Sequence, residues 1–416
     1  MGNTMKTLRD YQAQGAIDGC NILKMHNILY MAWSVRTGKT ATSMEVCRLY
    51  DAKEVLFLTK KKAIKNIEED YMQFGFSEHF NITVTNNESM HKIENPSRFD
   101  VVIHDESHRF GSLAKPNTGA KLFKKLFSCK PIILLSGTPS PESFSQMYHQ
   151  FWISSYSPWS RYKNFYMWAH DYVLPAQKRI GSFLYNDYSH GIEDKIMSDL
   201  QYIMITYTQE QAGFQSTIEE EVLHVKMLPR TYEMIDKLFA DRVVQGKNEV
   251  ILADTAAKLL QKVHQLYSGT VKFESGNSMI LDYSKADFIK SHFATSRIGI
   301  FYVFKAELDL LREVYGDALT TDIDEFDSGK YQVIALQTIS GREGISLKNA
   351  DFLVFYNIMH SAVSYWQARD RMTTMDRTYN KVYWIFAEGG IEDKVYKVVK
   401  SKKKYTTNIF KSDYFK

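Results

Sequence analysis

Cysteine is scarce in this chain: the three present, Cys20, Cys47 and Cys129, lie far apart and none belongs to a C-x-x-C pair. That excludes a disulfide framework and a cysteine-ligated zinc site, and it predicts a reducing compartment. Long apolar runs are missing as well. No stretch approaches the ~18 apolar residues of a membrane span, and the opening "MGNTMKTLRDYQ" has no apolar signal core. A cytoplasmic location is the expectation. Nor is there an excess of one charge, since 52 Lys+Arg against 48 Asp+Glu leave +4. Such a balance permits nucleic acid as a partner without demanding it, because a local basic track matters more than the sum. Gly/Ser linkers, low-complexity tracts and repeats of solenoid period are also absent.

What is there is a chain of 416 residues, 44% hydrophobic and 24% charged. That is the composition of an ordinary globular protein, and the length is too great for one core. Short apolar runs recur at 27–34, 54–59, 80–85, 99–106 and 130–138, then again at 297–304, 331–338, 350–357 and 380–387. Apolar on both faces and separated by helix-length stretches, they read as buried strands of two parallel sheets. Residues 144–172 are dense in aromatics without strand alternation, which predicts short helices packed on the first unit. Residues 219–244 read as a strand leading into a helix at the entry to the second unit. The expected division is a first α/β lobe over 1–153, an aromatic, helical connecting segment over 154–215, and a second lobe over 216–416 with a lysine-rich tail.

Five stretches carry candidate chemistry. In "MAWSVRTGKT" (31–40) a strand gives way to a helix at Thr37, Gly38, Lys39 and Thr40. Backbone N–H groups and a helix N-terminus there suit phosphates, with Lys39 reaching the β/γ-phosphates and the Thr40 hydroxyl binding Mg²⁺. Alone, three residues do not separate a nucleotide loop from an ordinary helix start, and Trp33 stands where the usual pattern has its first glycine. "VVIHDESHRF" (101–110) delivers Asp105 and Glu106 to the C-terminal edge of a strand, where open α/β sheets bind ligands. Asp105 suits the Mg²⁺ hydration shell and Glu106 the attacking water; a solvated acidic turn is the plain alternative. "LLSGTPSPES" (134–143) follows another strand, and its Ser136 and Thr138 are placed to sense and relay the phosphate state. In the second half, "TISGREGISLKNAD" puts Gly341 and Gly344 in a loop after a strand. "SYWQARDRMTTMDR" sets Gln367 and Arg371 at i and i+4 on one helix face. A guanidinium delivered by a second domain to a γ-phosphate acts as an arginine finger; a salt-bridged surface helix is the alternative.

Taken in this order, the segments resemble the superfamily-two helicases and translocases, most closely the Swi/Snf-type branch, over nearly the whole chain. "LRDYQAQGA" is similar to that branch's L-x-x-Y-Q element, which implies that Gln12 reads adenine. "SVRTGKT" resembles motif I, a motif that lacks the first Walker glycine in this branch too, so Trp33 is no objection; Arg36 departs from the commoner glycine. "DESH" resembles the D-E-x-H box and "LSGTP" motif III. "SGREGISLKNAD" resembles motif V, "QARDRM" motif VI, and "AEGGIEDKVYKVVKSKKK" the closing element. Motif VI of the branch carries two arginines three residues apart. Arg371 fills the first position and Thr374 the second, with Arg377 and Arg369 as neighbouring substitutes.

The resemblance implies two tandem RecA-like domains using ATP and Mg²⁺, with Gly344 and Arg371 on the nucleotide. It also implies a monomeric motor on double-stranded or branched DNA that displaces strands, migrates junctions or remodels forks. Its polymer contacts would fall on Lys60, with Lys61 and Lys62 weaker, and on Thr338 and Ser340 in the second lobe, directed to the backbone rather than to bases. The compact form resembles versions found in phage and bacteria, in which case the compartment is the host cytoplasm. An RNA-directed helicase, or a clamp that closes on ATP and barely hydrolyses it, stays open at this level.

Overall fold

In a computed structural model the described residues are 5–180, 183–213, 217–246, 249–338, 347, 349–361, 365 and 379–401. The chain divides into two compact units, 1–214 and 215–416.

The first unit runs α1 (Asp10–His26), β1 (Ile28–Trp33), α2 (Lys39–Leu49), β2 (Glu54–Thr59), α3 (Ile64–Gln73), β3 (Asn81–Asn86), β4 (Val101–Asp105), α4 (Thr118–Phe127) and β5 (Ile132–Leu135). It continues through α5 (Met147–Trp152), α6 (Phe165–Tyr172), a hairpin of β6 (Gln177–Ile180) and β7 (Phe183–Asn186), α7 (Glu193–Leu200) and β8 (Met204–Tyr207). Six strands form one sheet in the order β3-β2-β4-β5-β1-β8, every pair parallel. Successive residues of a strand point to opposite faces, and both faces are covered. Ile28, Tyr30, Leu56 and Leu134 pack on one side, Leu29, Met31, Phe57 and Leu135 on the other. That is why these strands read as unbroken apolar runs.

The aromatic stretch belongs to this unit rather than to a separate connecting segment. Trp159, Trp168 and Tyr172 lie in the same core as Tyr30 and Leu134, with the Trp168 and Tyr172 rings stacked at 5.1 Å. Strand β8, expected within the connecting segment, pairs with β1, Trp33 opposite Tyr207. Large rings bury enough surface to hold short helices that have little intrinsic stability.

The second unit holds β9 (Thr217–Val225), α8 (Pro229–Asp241), a hairpin of β10 (Val243–Gln245) and β11 (Val250–Leu252), α9 (Ala256–Tyr267), and a hairpin of β12 (Thr270–Lys272) and β13 (Ser278–Ile280). Then come α10 (Ser284–His292), β14 (Ile298–Tyr302), α11 (Lys305–Tyr315), β15 (Leu319–Thr320), α12 (Ile323–Asp327), β16 (Val333–Gln337), β17 (Phe352–Phe355), β18 (Tyr379–Ala387) and α13 (Glu392–Lys400). Its main sheet has the order β15-β16-β14-β17-β18-β9 and is again parallel throughout. Both units are therefore α/β domains built on a six-stranded parallel sheet, the RecA-like arrangement. Among the described residues no helix is long and apolar enough to cross a membrane.

Candidate nucleotide site

Strands β2, β4, β5, β1 and β8 are neighbours in the first sheet, so their C-terminal ends open side by side. Each end contributes a piece of one site, as ligand sites of open α/β sheets do.

The end of β1 supplies the loop Ser34–Gly38 ahead of α2. Gly38 is the N-cap residue of α2 with φ 84, a left-handed conformation that favours glycine. Space requires glycine too, because a Cβ there would meet Gln12 Nε2 at 1.8 Å. Thr37 is fully buried; its hydroxyl donates to Ser34 O (2.8 Å), and its carbonyl accepts from Tyr11 Oη (3.0 Å) and Gln12 Nε2 (3.2 Å). Arg36 has φ 64, which explains in backbone terms why glycine is commoner at that position. Lys39 Nζ donates weakly to Ser34 O (3.4 Å). Burial lowers the Lys39 pKa, and the charges of Glu106 and Asp105 oppose the shift. Thr40 is half-buried in the first turn of α2.

The end of β4 supplies the acids. Asp105 accepts from Thr59 Oγ1 (3.0 Å) at the end of β2 and from the Glu106 N–H (2.9 Å). Burial and the Glu106 charge raise its pKa to about 6 against the pull of Lys39. Glu106 sits at φ 56, a strain of order 1–3 kcal/mol of the kind that collects at functional sites. Its carboxylate lies 3.4 Å from Lys60 Nζ and 3.3 Å from His108 Nδ1. Burial would raise the Glu106 pKa, but Lys60, His108 and Lys39 outweigh it and hold it below the usual carboxylate range.

The end of β5 closes the row. Ser136 is fully buried, its Oγ 3.0 Å from His108 Nδ1 and accepting from the Thr138 N–H at 3.1 Å. His108 Nδ1 thus stands between Glu106 and Ser136, a physical path from the acid to the Ser136–Thr138 turn. The Thr138 hydroxyl is buried with no hydrogen-bond partner among the described residues, and an added Cβ on Gly137 would come within 3.6 Å of Lys39 Nζ. The Thr138 hydroxyl and the Lys39 ammonium are poorly satisfied in the protein alone, as a phosphate pocket requires.

Several expected residues stand elsewhere. Lys60, expected on a polymer backbone, has its ammonium beside Glu106. Lys61 and Lys62 are exposed. Thr338, also expected as a polymer contact, is 3% exposed with its hydroxyl donating to Tyr302 O (2.9 Å); that hydroxyl is bound inside the second sheet. Ser340, Gly341, Gly344, Gln367, Arg369, Arg371, Thr374 and Arg377 lie outside the described residues. Sequence reasoning gave no role to Thr59, His108 or Tyr11. His108 lay inside the quoted D-E-S-H and was recoverable.

A parallel sheet with a glycine–lysine loop at one strand end and an acid pair two strands away is the arrangement of a P-loop nucleotide-binding fold. Residues 5–141 match the family model described as the res subunit of type III restriction enzymes. Among solved structures, the chain is similar to the Sulfolobus solfataricus SWI2/SNF2 ATPase core in complex with dsDNA, at 14% identity and TM-score 0.43, covering 99% of this chain and 93% of that one. It is similar also to the SWI2/SNF2 ATPase core domain of the same organism, at 15% identity and TM-score 0.43, covering 96% and 90%. No curated protein is matched by the chain.

Proposed function

We propose that the chain is an ATP-dependent DNA translocase or helicase of the Swi/Snf-type branch, acting on duplex or branched DNA. The observation that carries this reading is Lys39, half-buried at the start of α2 beside the glycine loop and held in the field of Glu106 and Asp105. With the loop N–H groups, Lys39 binds the phosphates. Among the described residues no cluster of three or more metal-ligating side chains exists, which fits Mg²⁺ held by one carboxylate, one hydroxyl, water and the nucleotide itself; Asp105 and Thr40 are the protein's share. The metal nucleotide supplies the scissile bond and the polarisation of its γ-phosphoryl group. Glu106, kept ionised, orients a water for in-line attack. Ser136 and Thr138 sense the phosphate, Gln12 and Thr37 shape the loop, and Arg371 with Gln367 and Gly344 serves the γ-phosphate from motifs VI and V. Lys61, Lys62 and Ser340 contact the DNA backbone.

The test is steady-state ATPase without polymer, then with single-stranded DNA, duplex DNA, a synthetic fork and structured RNA, with Glu106→Gln as the blank. Stimulation greatest with duplex or fork supports the reading. Stimulation by RNA alone reassigns the polymer, and turnover in Glu106→Gln equal to wild type removes the site.

A further inference from the structure

The end of β2 touches both acids of the nucleotide site through consecutive residues. Thr59 Oγ1 donates to Asp105 Oδ2 (3.0 Å), and Lys60 Nζ lies 3.4 Å from Glu106 Oε1. Register brings this about. Strands β2 and β4 run parallel with Leu58 opposite His104, so the next residue of each, Thr59 and Asp105, end side by side. On its other edge β2 pairs with β3, Thr59 opposite Asn86. The Thr59 side chain is fully buried and, being β-branched, has few rotamers open to it. Val55, Phe57 and Leu58 before it are buried as well. Valine would suit such a strand end equally; the hydroxyl adds nothing to packing and has Asp105 as its partner.

Both Asp105 oxygens are thereby held. Oδ2 accepts from Thr59 and Oδ1 from the Glu106 N–H (2.9 Å). An ionised carboxylate offers about four lone-pair sites, so each oxygen keeps one for a metal or its water. With the Glu106 bond alone, the carboxylate could still turn about Cβ–Cγ, a broad and nearly two-fold torsion. The Thr59 bond removes that freedom. Mg²⁺ demands near-ideal octahedral geometry, and a ligand already ordered loses less on binding than one ordered by the metal. Partners behind a ligating carboxylate tune metal affinity in this way.

We infer that Thr59 is a positioning residue for the metal: its hydroxyl fixes the orientation of the Asp105 carboxylate that serves Mg²⁺. The inference rests on the reading of Asp105 as a Mg²⁺ ligand and adds a residue to which that reading gave no part. Thr59 acts only through Asp105, and as a donor, so chemistry rather than bulk is what matters. Thr59→Val keeps the shape and loses the donor; Thr59→Ser keeps the donor and loses a methyl group.

The experiment titrates the full chain with ADP by calorimetry, once in excess Mg²⁺ and once in EDTA, with a thermal melt for each variant. Loss of one hydrogen bond predicts Mg²⁺–ADP binding about 3–10-fold weaker in Thr59→Val. Binding of ADP in EDTA should stay within about twofold of wild type. Thr59→Ser should return Mg²⁺–ADP binding to within about twofold of wild type. A purely structural role would lower the melting temperature and weaken both titrations alike, which overturns the inference. Mg²⁺–ADP binding like wild type in Thr59→Val overturns it too, where Asp105→Asn weakens that binding. If Thr59→Val does not fold, Thr59→Ala against Thr59→Ser decides on the same two titrations. If Asp105→Asn itself binds Mg²⁺–ADP like wild type, the reading of Asp105 as a metal ligand fails and takes the inference with it.

Discussion

The Lys60 ammonium stands 3.4 Å from Glu106 Oε1, and the two side chains are only 17% and 21% exposed. A pair this sheltered is screened little by salt, and it holds a strained glutamate in its ionised form. Lys60 thus acts first on the acid. Lys60→Met should let the Glu106 pKa rise, moving the acid limb of the kcat–pH profile upward by about one pH unit or more. Near pH 8 the carboxylate is ionised with or without the lysine, so the deficit should shrink there. The stability contribution has the same sense: present above the ordinary glutamate value, and lost as pH falls through the lower folded value. Duplex affinity should stay within about twofold, whereas Lys61→Ala or Lys62→Ala should each weaken it and reduce the salt slope by about one. A Lys60→Met variant with an unmoved acid limb and weakened DNA binding would return Lys60 to the polymer.

Asp105 carries the opposite cost. Its carboxyl is raised from 3.8 to about 6 by burial and by Glu106. Between those values the folded protein keeps a proton that the unfolded chain releases, so stability falls as pH rises through the window. The full cost applies above about pH 6. Asp105→Asn keeps an oxygen for the Glu106 N–H and removes the charge. Without nucleotide it should melt above wild type at pH 7.5, with the gap closing toward pH 4, while turnover falls at least ~10²-fold. A lower melting point than wild type at pH 7.5 would show that the charge is satisfied as it stands.

The strands that carry the site were legible because each is buried on both faces, and their ends fell where Lys39, Asp105 and Ser136 were placed. Lys60 was placed as well, but its direction was not: a lysine one residue past a strand looks the same in sequence whether it faces a polymer or an acid. Thr338 misled for a related reason, since hydroxyls at strand ends often turn inward to a neighbouring carbonyl, here Tyr302 O. Strand β8 was hidden by brevity: "MITY" is only four residues long, and its pairing with β1 is what makes it a strand.

Arg36 gives a test of the loop's backbone. At φ 64 a residue with a Cβ costs about 1–2 kcal/mol, and glycine recovers most of this despite its greater entropy when unfolded. Arg36→Gly should therefore melt above Arg36→Ala, the reverse of the usual order of the two residues. Both lose the same guanidinium, so the comparison isolates the backbone. Alanine above glycine would mean that the loop settles at negative φ in solution.

His104 predicts an acid limb of stability. Its ring is fully buried, stacked on Phe110 at 4.1 Å, with Nε2 3.0 Å from Asn87 Oδ1. Burial, with Arg109 and His108 adding to it, lowers its pKa to about 3. The unfolded chain therefore binds a proton that the folded one refuses between about 6.5 and 3. Stability is full above 6.5 and lost as pH falls, at about 1.4 kcal/mol per pH unit for this group. His104→Phe keeps the stacking and gives up the Asn87 bond, so at pH 7.5 it should be less stable by about 1 kcal/mol. By pH 5 wild type bears the cost of excluding the proton and the phenylalanine variant does not, so the order should reverse. Urea titrations at pH 7.5, 6 and 5 decide it: a gap that stays constant would mean that His104 accepts its proton in the folded state, with Asn87 or the Phe110 stack giving way.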